Sequence, residues 1–230
     1  MFVTIHGGSW QSRYGKIVMR GLAHDLVRRG WAVWNIEYRR VGAGGGWPET
    51  FEDVALAIDH LAELNHAMLD LDRVSVLGHS AGGHLALWAA SRGNLPVAAP
   101  GFREGPAPVL LRRVVVQAGI CDLTAAFRRR PDGAARALMG GAPEELDGRY
   151  ATADPIRLLP LHVPVLLVHG VSDETVSIEL SRGYARAACA AGGEVELVEI
   201  AGEAGSHRAH IDPRGEAWAQ VTRWLAAARE

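Results

Sequence analysis

Apolar residues fall into short runs, each followed by a Gly-rich break and then by apolar positions at helical spacing. Phe2 to Ile5 is a β-prone run that stops at Gly7-Gly8. Ile17, Met19, Leu22, Leu26 and Val27 predict a helix over 17–29, ended by Gly30. Trp31 to Ile36 reads as a buried strand, and the stretch from Val41 to Pro48, with Gly42, Gly44, Gly45 and Gly46, must be loop. Thr50 followed by Asp53 resembles a capping box ahead of a helix that places Val54, Leu56, Ile58, Leu61 and Leu64 on one side. Strands are predicted over 73–77, 114–116, 165–168 and 195–200, with helices from His84 to Ser91, Val176 to Ala191 and within 211–227.

The strand runs are apolar on both faces, as in a parallel sheet covered on two sides. Strand and helix alternate to the end without a linker or repeat, which predicts an α/β fold and one domain over 1–230. The least regular stretch, 124–159, is rich in Arg, Gly and Pro and is expected to form small helices over a cleft.

Composition narrows the function. Lys plus Arg is 24 and Asp plus Glu is 26, a net charge of −2, so no basic face for nucleic acid is expected. Two cysteines, Cys121 and Cys189, cannot build a disulfide framework and fit a reducing compartment or simple core filling. The first residues make no leader, no run is long enough for a membrane helix, and Ala226 to Glu230 is no lipidation signal. A cytoplasmic protein is expected. Ten histidines raise the question of a metal, but no His-Glu-x-x-His run or paired cysteines with zinc spacing occur. No phosphate loop or dinucleotide fingerprint occurs either, so no cofactor is expected.

The chemistry signal is Gly78-His79-Ser80-Ala81-Gly82, between a predicted strand and a predicted helix. A serine at so sharp a turn is strained, and glycines two residues to either side let the turn close. Serine needs a base, and the base needs an orienting acid. After a nucleophile elbow the acid comes first and histidine second. Asp173, in the loop after Val165 to Val168, is the acid candidate, with Glu174 as fallback; its other role would be to cap a helix starting near Thr175. For the base there are His207, in the flexible loop after Ala204-Gly205-Ser206, and His210, beside Ile211-Asp212-Pro213. His79 and His84 flank the elbow, His169 braces the acid loop, and His24, His60, His66 and His162 read as surface or helix residues.

Acyl transfer places charge on the former carbonyl oxygen, which calls for fixed N–H donors. Ala81 should supply one. The loop His6-Gly7-Gly8-Ser9-Trp10 should supply others from Gly8 and Ser9, with Trp10 a further candidate. Trp10, Trp47 and the 124–159 segment are candidate walls of an apolar pocket. The run Phe127-Arg128-Arg129-Arg130 reads first as a solvated charge run and second as a contact for a substrate carboxylate.

Together these segments, with Glu37-Tyr38-Arg39-Arg40 and His169-Gly170, resemble the α/β-hydrolase superfamily. Within it they are similar to HGG-type esterases and to kynurenine formamidase-like and prolyl-oligopeptidase-like hydrolases. The resemblance implies a Ser80–His207–Asp173 triad, an oxyanion hole of Ala81 plus the loop at Gly8, and a mostly parallel sheet with a small lid or none. In such families the histidine commonly sits four residues before Ile-Asp-Pro, which selects His207. Two departures stand out. Family members usually carry residues before the HGG strand, and an edge left uncovered there would invite a homodimer. A proline common in the acid loop is Ser177 here. The expected reaction is ester hydrolysis through an acyl-enzyme. The alternatives are an arylformamidase, a short-peptide amide hydrolase, or an inactive binding protein on the same fold.

Overall fold

The computed structural model describes residues 1–64, 66 and 69–227; the C-terminal residues 228–230, part of the stretch read for lipidation, lie outside them. Strands β1 (Phe2–Ile5), β2 (Val33–Ile36), β3 (Val74–His79), β4 (Leu111–Gln117), β5 (Val165–Gly170) and β6 (Val195–Ile200) form one sheet in the order β2-β1-β3-β4-β5-β6. Every pairing is parallel. The helices are α1 (Arg20–Arg28), α2 (Glu49–Asp59), α3 (Ala81–Ala90), α4 (Leu123–Arg129), α5 (Ala134–Met139), α6 (Asp147–Ala153), α7 (Glu179–Ala190) and α8 (Glu216–Ala227).

Side chains of successive strand residues leave the sheet on opposite faces, so each strand feeds two cores. Val3, Ile5, Val76, Val114, Val116 and Leu167 pack with Phe51 and Ile58 of α2, Leu85 and Trp88 of α3 and Tyr184 of α7. Phe2, Leu77, Val115, Leu166 and Val168 pack on the other face with Leu22 and Leu26 of α1 and Trp218 and Val221 of α8. This is the doubly covered sheet the apolar runs predict. Helix α3 is buried from Ala81 to Ala89 between the sheet, α2 and the segment that begins with α6. There the His84 ring donates to the Ala153 carbonyl at 2.9 Å and the Trp88 indole to Thr152 at 2.9 Å.

Several expectations need correction. The 17–29 segment begins as a 3-10 turn over Lys16–Met19, and Ile17 and Val27 face solvent. Strand β2 lies at the sheet edge and is only half-buried, since no strand among the described residues covers its outer side. Thr50 and Asp53 form no capping box, because α2 starts before them at Glu49. Thr50 instead donates to the Arg39 carbonyl at 2.6 Å, and Asp53 clamps the Arg39 guanidinium. Leu56 is 67% exposed and so is no part of the core face. Helix α3 starts at Ala81 rather than His84, and α7 starts at Glu179 rather than Val176. The 124–159 stretch holds α4, α5 and α6, the small helices expected there. No helix among the described residues is long and apolar enough to cross a membrane.

Three buried histidines make the fold acid-sensitive. Burial pushes His79 down to about 3, and His84 and His210 to about 4. Below pH 6.5 the unfolded chain protonates these rings and the folded chain does not, so stability falls as pH drops. Asp154 opposes this: burial and the nearby Asp122 raise it to about 6, so it binds a proton in the folded state first. These lowered histidines outnumber the one raised carboxyl, so the balance between pH 6 and 4 is a loss of stability as pH falls. Urea unfolding at pH 7, 6 and 5 should show a steadily falling midpoint; equal midpoints would mean these rings are not held neutral.

Candidate active site

The loops after five parallel strands meet at one edge of the sheet, the usual place for a site in such architecture. Strand β3 turns into α3 at Ser80, whose φ of 55° and ψ of −120° put a side-chain-bearing residue in left-handed space. The turn closes only because its neighbours lack side chains. A Cβ on Gly78 would lie 2.0 Å from the Gly82 carbonyl oxygen, and one on Gly82 would lie 2.1 Å from that of Ile5. The Ser80 N–H is fixed by the Gln117 carbonyl of β4 at 2.9 Å. Ser9, Trp10 and Ala118, like Ser80, have positive φ without being glycine. Such strain concentrates where geometry is held for function.

Strand β5 ends at Gly170 and delivers Asp173, whose two oxygens divide their partners. Oδ1 accepts the N–H groups of Thr175 and Val176 at 2.8 and 3.0 Å, and Oδ2 accepts from His207 Nδ1 at 2.7 Å. Asp173 thus locks its own loop and does not cap α7, which begins six residues later. Burial pushes its pKa upward, but the His169 and His207 imidazoles and the Val176 N–H outweigh that and hold it well below the usual carboxylate range. Its partner in ionised form only accepts, so the His207 proton sits on Nδ1 and Nε2 keeps its lone pair. His169 braces the loop as expected, donating Nε2–H to the Val176 carbonyl at 2.9 Å and accepting at Nδ1 from Ser181 at 2.7 Å. Its approach to Asp173 Oδ2 is longer, 3.6 Å.

His207 comes from the loop after β6. That loop crosses the end of β5 so closely that a Cβ on Gly170 would lie 1.6 Å from the Gly205 carbonyl oxygen. The His207 carbonyl accepts from His79 Nε2 at 3.0 Å, and the two rings lie 4.7 Å apart, centroid to centroid, which brings the imidazole beside the residue preceding Ser80. Among the described residues the Ser80 hydroxyl makes no hydrogen bond to His207. Pairs of this kind often close only when substrate binds. His210, the second base candidate, is fully buried; its Nδ1 donates to the Ser206 carbonyl at 3.0 Å, and no carboxylate binds it. Glu174, the fallback acid, is exposed and holds no histidine.

The loop after β1 carries Gly8, Ser9 and Trp10, whose N–H groups have no acceptor among the described residues. Ala81 opens α3, so its N–H has no partner within the helix. Gly7 fits against the elbow: a Cβ there would lie 3.0 Å from the Ser80 Cβ. The loop is anchored through His6, which donates Nε2–H to Glu37 at 2.6 Å and stacks on Tyr38 at 4.3 Å. The Tyr38 hydroxyl in turn donates to the His6 carbonyl at 2.9 Å. Glu37 also faces Arg40 at 3.1 Å and accepts the Lys16 N–H at 3.1 Å. Burial lowers the His6 pKa against the opposing pull of the Gly7 carbonyl and Glu37. Gln117 carries the site too, yet nothing local in the sequence marks it; Gly170 and Gly205, named in the sequence only as parts of the acid and histidine loops, are needed because those loops cross in contact.

A cleft of about 640 Å³ opens at this edge, with Ser80, Ser9 and Trp10 in its wall. The far wall is α4 and the start of α5, as the irregular segment suggested. Trp47 is not part of it; the Arg149 guanidinium lies over that ring at 4.6 Å, and its backbone bonds to Leu138. The wall is also less apolar than expected, for Arg13, Arg129 and Arg130 contribute to it. No group of three or more metal-ligating side chains occurs among the described residues.

The BD-FAE family model matches residues 1–187. The probable carboxylic ester hydrolase LipM of Mycobacterium tuberculosis is 28% identical over 191 residues, covering 78% of this chain and 42% of that protein. Esterase LipQ of the same organism is 27% identical over 195 residues, covering 81% and 45%. The chain therefore spans less than half the length of these curated relatives. Among solved structures, a truncated form of a carbohydrate esterase from gut microbiota superposes with a TM-score of 0.82 at 21% identity, over 98% of this chain and 84% of that one. Esterase B from Lactobacillus rhamnosis, inhibited by a tributyrin phosphonate, superposes with a TM-score of 0.81 at 20% identity, over 99% and 74%. At such identities the structural likeness speaks for the α/β-hydrolase fold.

Proposed function

This chain belongs to the BD-FAE family, and we propose that it is a serine hydrolase that cleaves a carboxylic ester of a small substrate through an acyl-enzyme. The observation that carries the reading is the 2.7 Å bond from His207 Nδ1 to Asp173, made beside a strained serine. In the proposed reaction Ser80 Oγ attacks the ester carbonyl carbon while His207 Nε2 takes its proton. The carbonyl oxygen becomes an oxyanion, held by the N–H groups of Ala81, Gly8 and Ser9, with Trp10 contributing a further donor. Collapse of the tetrahedral intermediate breaks the bond to the alcohol oxygen, which receives the proton from His207. Water, deprotonated by the same nitrogen, then releases the acid and restores Ser80.

Curated relatives named as ester hydrolases support the ester over the amide. The cleft volume suits a small molecule. Unpaired cysteines, Cys121 buried and Cys189 exposed, support work in a reducing, cytoplasmic setting. A fluorophosphonate should label Ser80 covalently, and a series of p-nitrophenyl esters should be turned over well ahead of N-formylkynurenine. Labelling without turnover of any ester would favour the amide readings. No labelling would favour a binding protein.

A further inference from the structure

We propose that the substrate of this site is an anionic ester, one whose acyl or alcohol part carries a carboxylate, held at the cleft mouth by Arg13, Arg129 and Arg130. The inference rests on the hydrolase reading and goes beyond it by naming the charge of the substrate. Arg13, Arg129 and Arg130 are among the residues lining the cleft that also exposes Ser80, against one carboxylate, Asp132; the Arg13 guanidinium lies over the Tyr14 ring, 5.0 Å from its centroid. They come from two separate segments: Arg13 from the continuation of the oxyanion loop, Arg129 and Arg130 from the end of α4.

Arg29, Arg39, Arg92 and Arg182 are each tied to a carboxylate elsewhere on the fold. The three cleft arginines have no ion-pair partner among the described residues, and all three are exposed to solvent. A fork of guanidinium donors matches a carboxylate in shape as well as charge.

The wall that presents two of these groups is built to stay in place. Asp154, fully buried, accepts the N–H groups of Leu123 and Thr124 at 2.8 and 3.0 Å and the Thr124 hydroxyl at 2.8 Å. Asp122 caps the same helix through the Ala125 N–H at 2.6 Å. Helix α4 is thus pinned at its start, and its last turn carries Arg129 to the cleft. Arg128, the first arginine of the run, does not line it.

The test uses two matched pairs of esters with the purified protein. In one the charge sits on the alcohol, 4-acetoxybenzoate against 4-acetoxybenzamide; in the other it sits on the acyl chain, mono-4-nitrophenyl adipate against 4-nitrophenyl hexanoate. Each rate is divided by that of the same ester in buffer. At low salt the anion of at least one pair should be favoured in kcat/KM by about 10-fold or more, mostly through KM. The preference should shrink severalfold in 0.5 M NaCl, as screening requires for exposed charges. The preferred pair tells which part of the substrate carries the charge. Arg129→Gln combined with Arg130→Gln and Arg13→Gln should bring the ratio below about 3, and the corresponding Lys variants should give an intermediate ratio, keeping the charge without the fork. Equal or neutral-favouring ratios in both pairs, alongside Ser80-dependent turnover of the neutral esters, would overturn this proposal and leave the hydrolase reading intact. No Ser80-dependent turnover of any of the four esters, with no fluorophosphonate labelling, would overturn both.

Discussion

Replacing Ser80 with alanine is expected to lower ester turnover by about 10⁴-fold or more while leaving the protein folded. The size follows from what is removed and what stays. In the proposed mechanism alanine deletes the nucleophilic oxygen and with it the acyl-enzyme, so hydrolysis must proceed by direct attack of water. The N–H donors and the cleft stay, and they account for the residual rate. Stability should change by less than about 1 kcal/mol. The Ser80 hydroxyl makes no hydrogen bond to His207, and alanine keeps the Cβ and so the same strained φ of 55°. The check is kcat on a short-chain p-nitrophenyl ester beside a thermal melt. A folded variant with the wild-type rate would place the chemistry elsewhere in the molecule.

Much of the candidate site is legible in the sequence because its geometry depends on local backbone rules. Gly78 and Gly82 stand where a Cβ would collide with backbone, and that demand shows in any sequence that makes the turn. Asp173 was readable as a carboxylate just past a buried strand. The preference for His207 over His210 comes from the resemblance, through its place four residues before Ile211-Asp212-Pro213, and not from local physics: both follow β6, and in the structure one ring reaches Asp173 while the other is buried against the Ser206 carbonyl. The supports of the site were hidden for the same reason. Gln117 holds the Ser80 N–H from a neighbouring strand, and Gly170 makes room for Gly205 across two strands' loops. Such contacts depend on strand order, which periodicity leaves open. Errors in the elements also have a physical cause. Ile17, Val27 and Leu56 fit helical spacing but face solvent, because spacing alone does not say which side of a helix the sheet will cover.

Asp173→Asn is expected to cost about 10³- to 10⁴-fold in kcat/KM, through the tautomer of His207 rather than through any loss of shape. Asparagine keeps an oxygen for the Thr175 and Val176 N–H groups, so the acid loop should hold its path. The amide nitrogen then meets His207 Nδ1, where the carboxylate accepted at 2.7 Å. Two donors cannot share that contact, so the imidazole proton moves to Nε2, the nitrogen that must accept from Ser80. Fluorophosphonate labelling should slow with turnover, since both need the same base. The variant should also lose stability in a pH-dependent way. The wild-type carboxyl is held below its unfolded pKa, so its contribution is present above about pH 4 and lost as pH falls through the folded value. The gap between the two proteins in urea midpoint should therefore be largest near neutrality and narrow below pH 4. If His210 were the base, Asp173→Asn would leave the rate near that of wild type, because no carboxylate oxygen binds its ring. His207→Gln and His210→Gln complete the comparison: the first should cost at least as much as Asp173→Asn, because it removes the proposed base itself, while the second, which removes a buried ring, should act mainly on the unfolding midpoint.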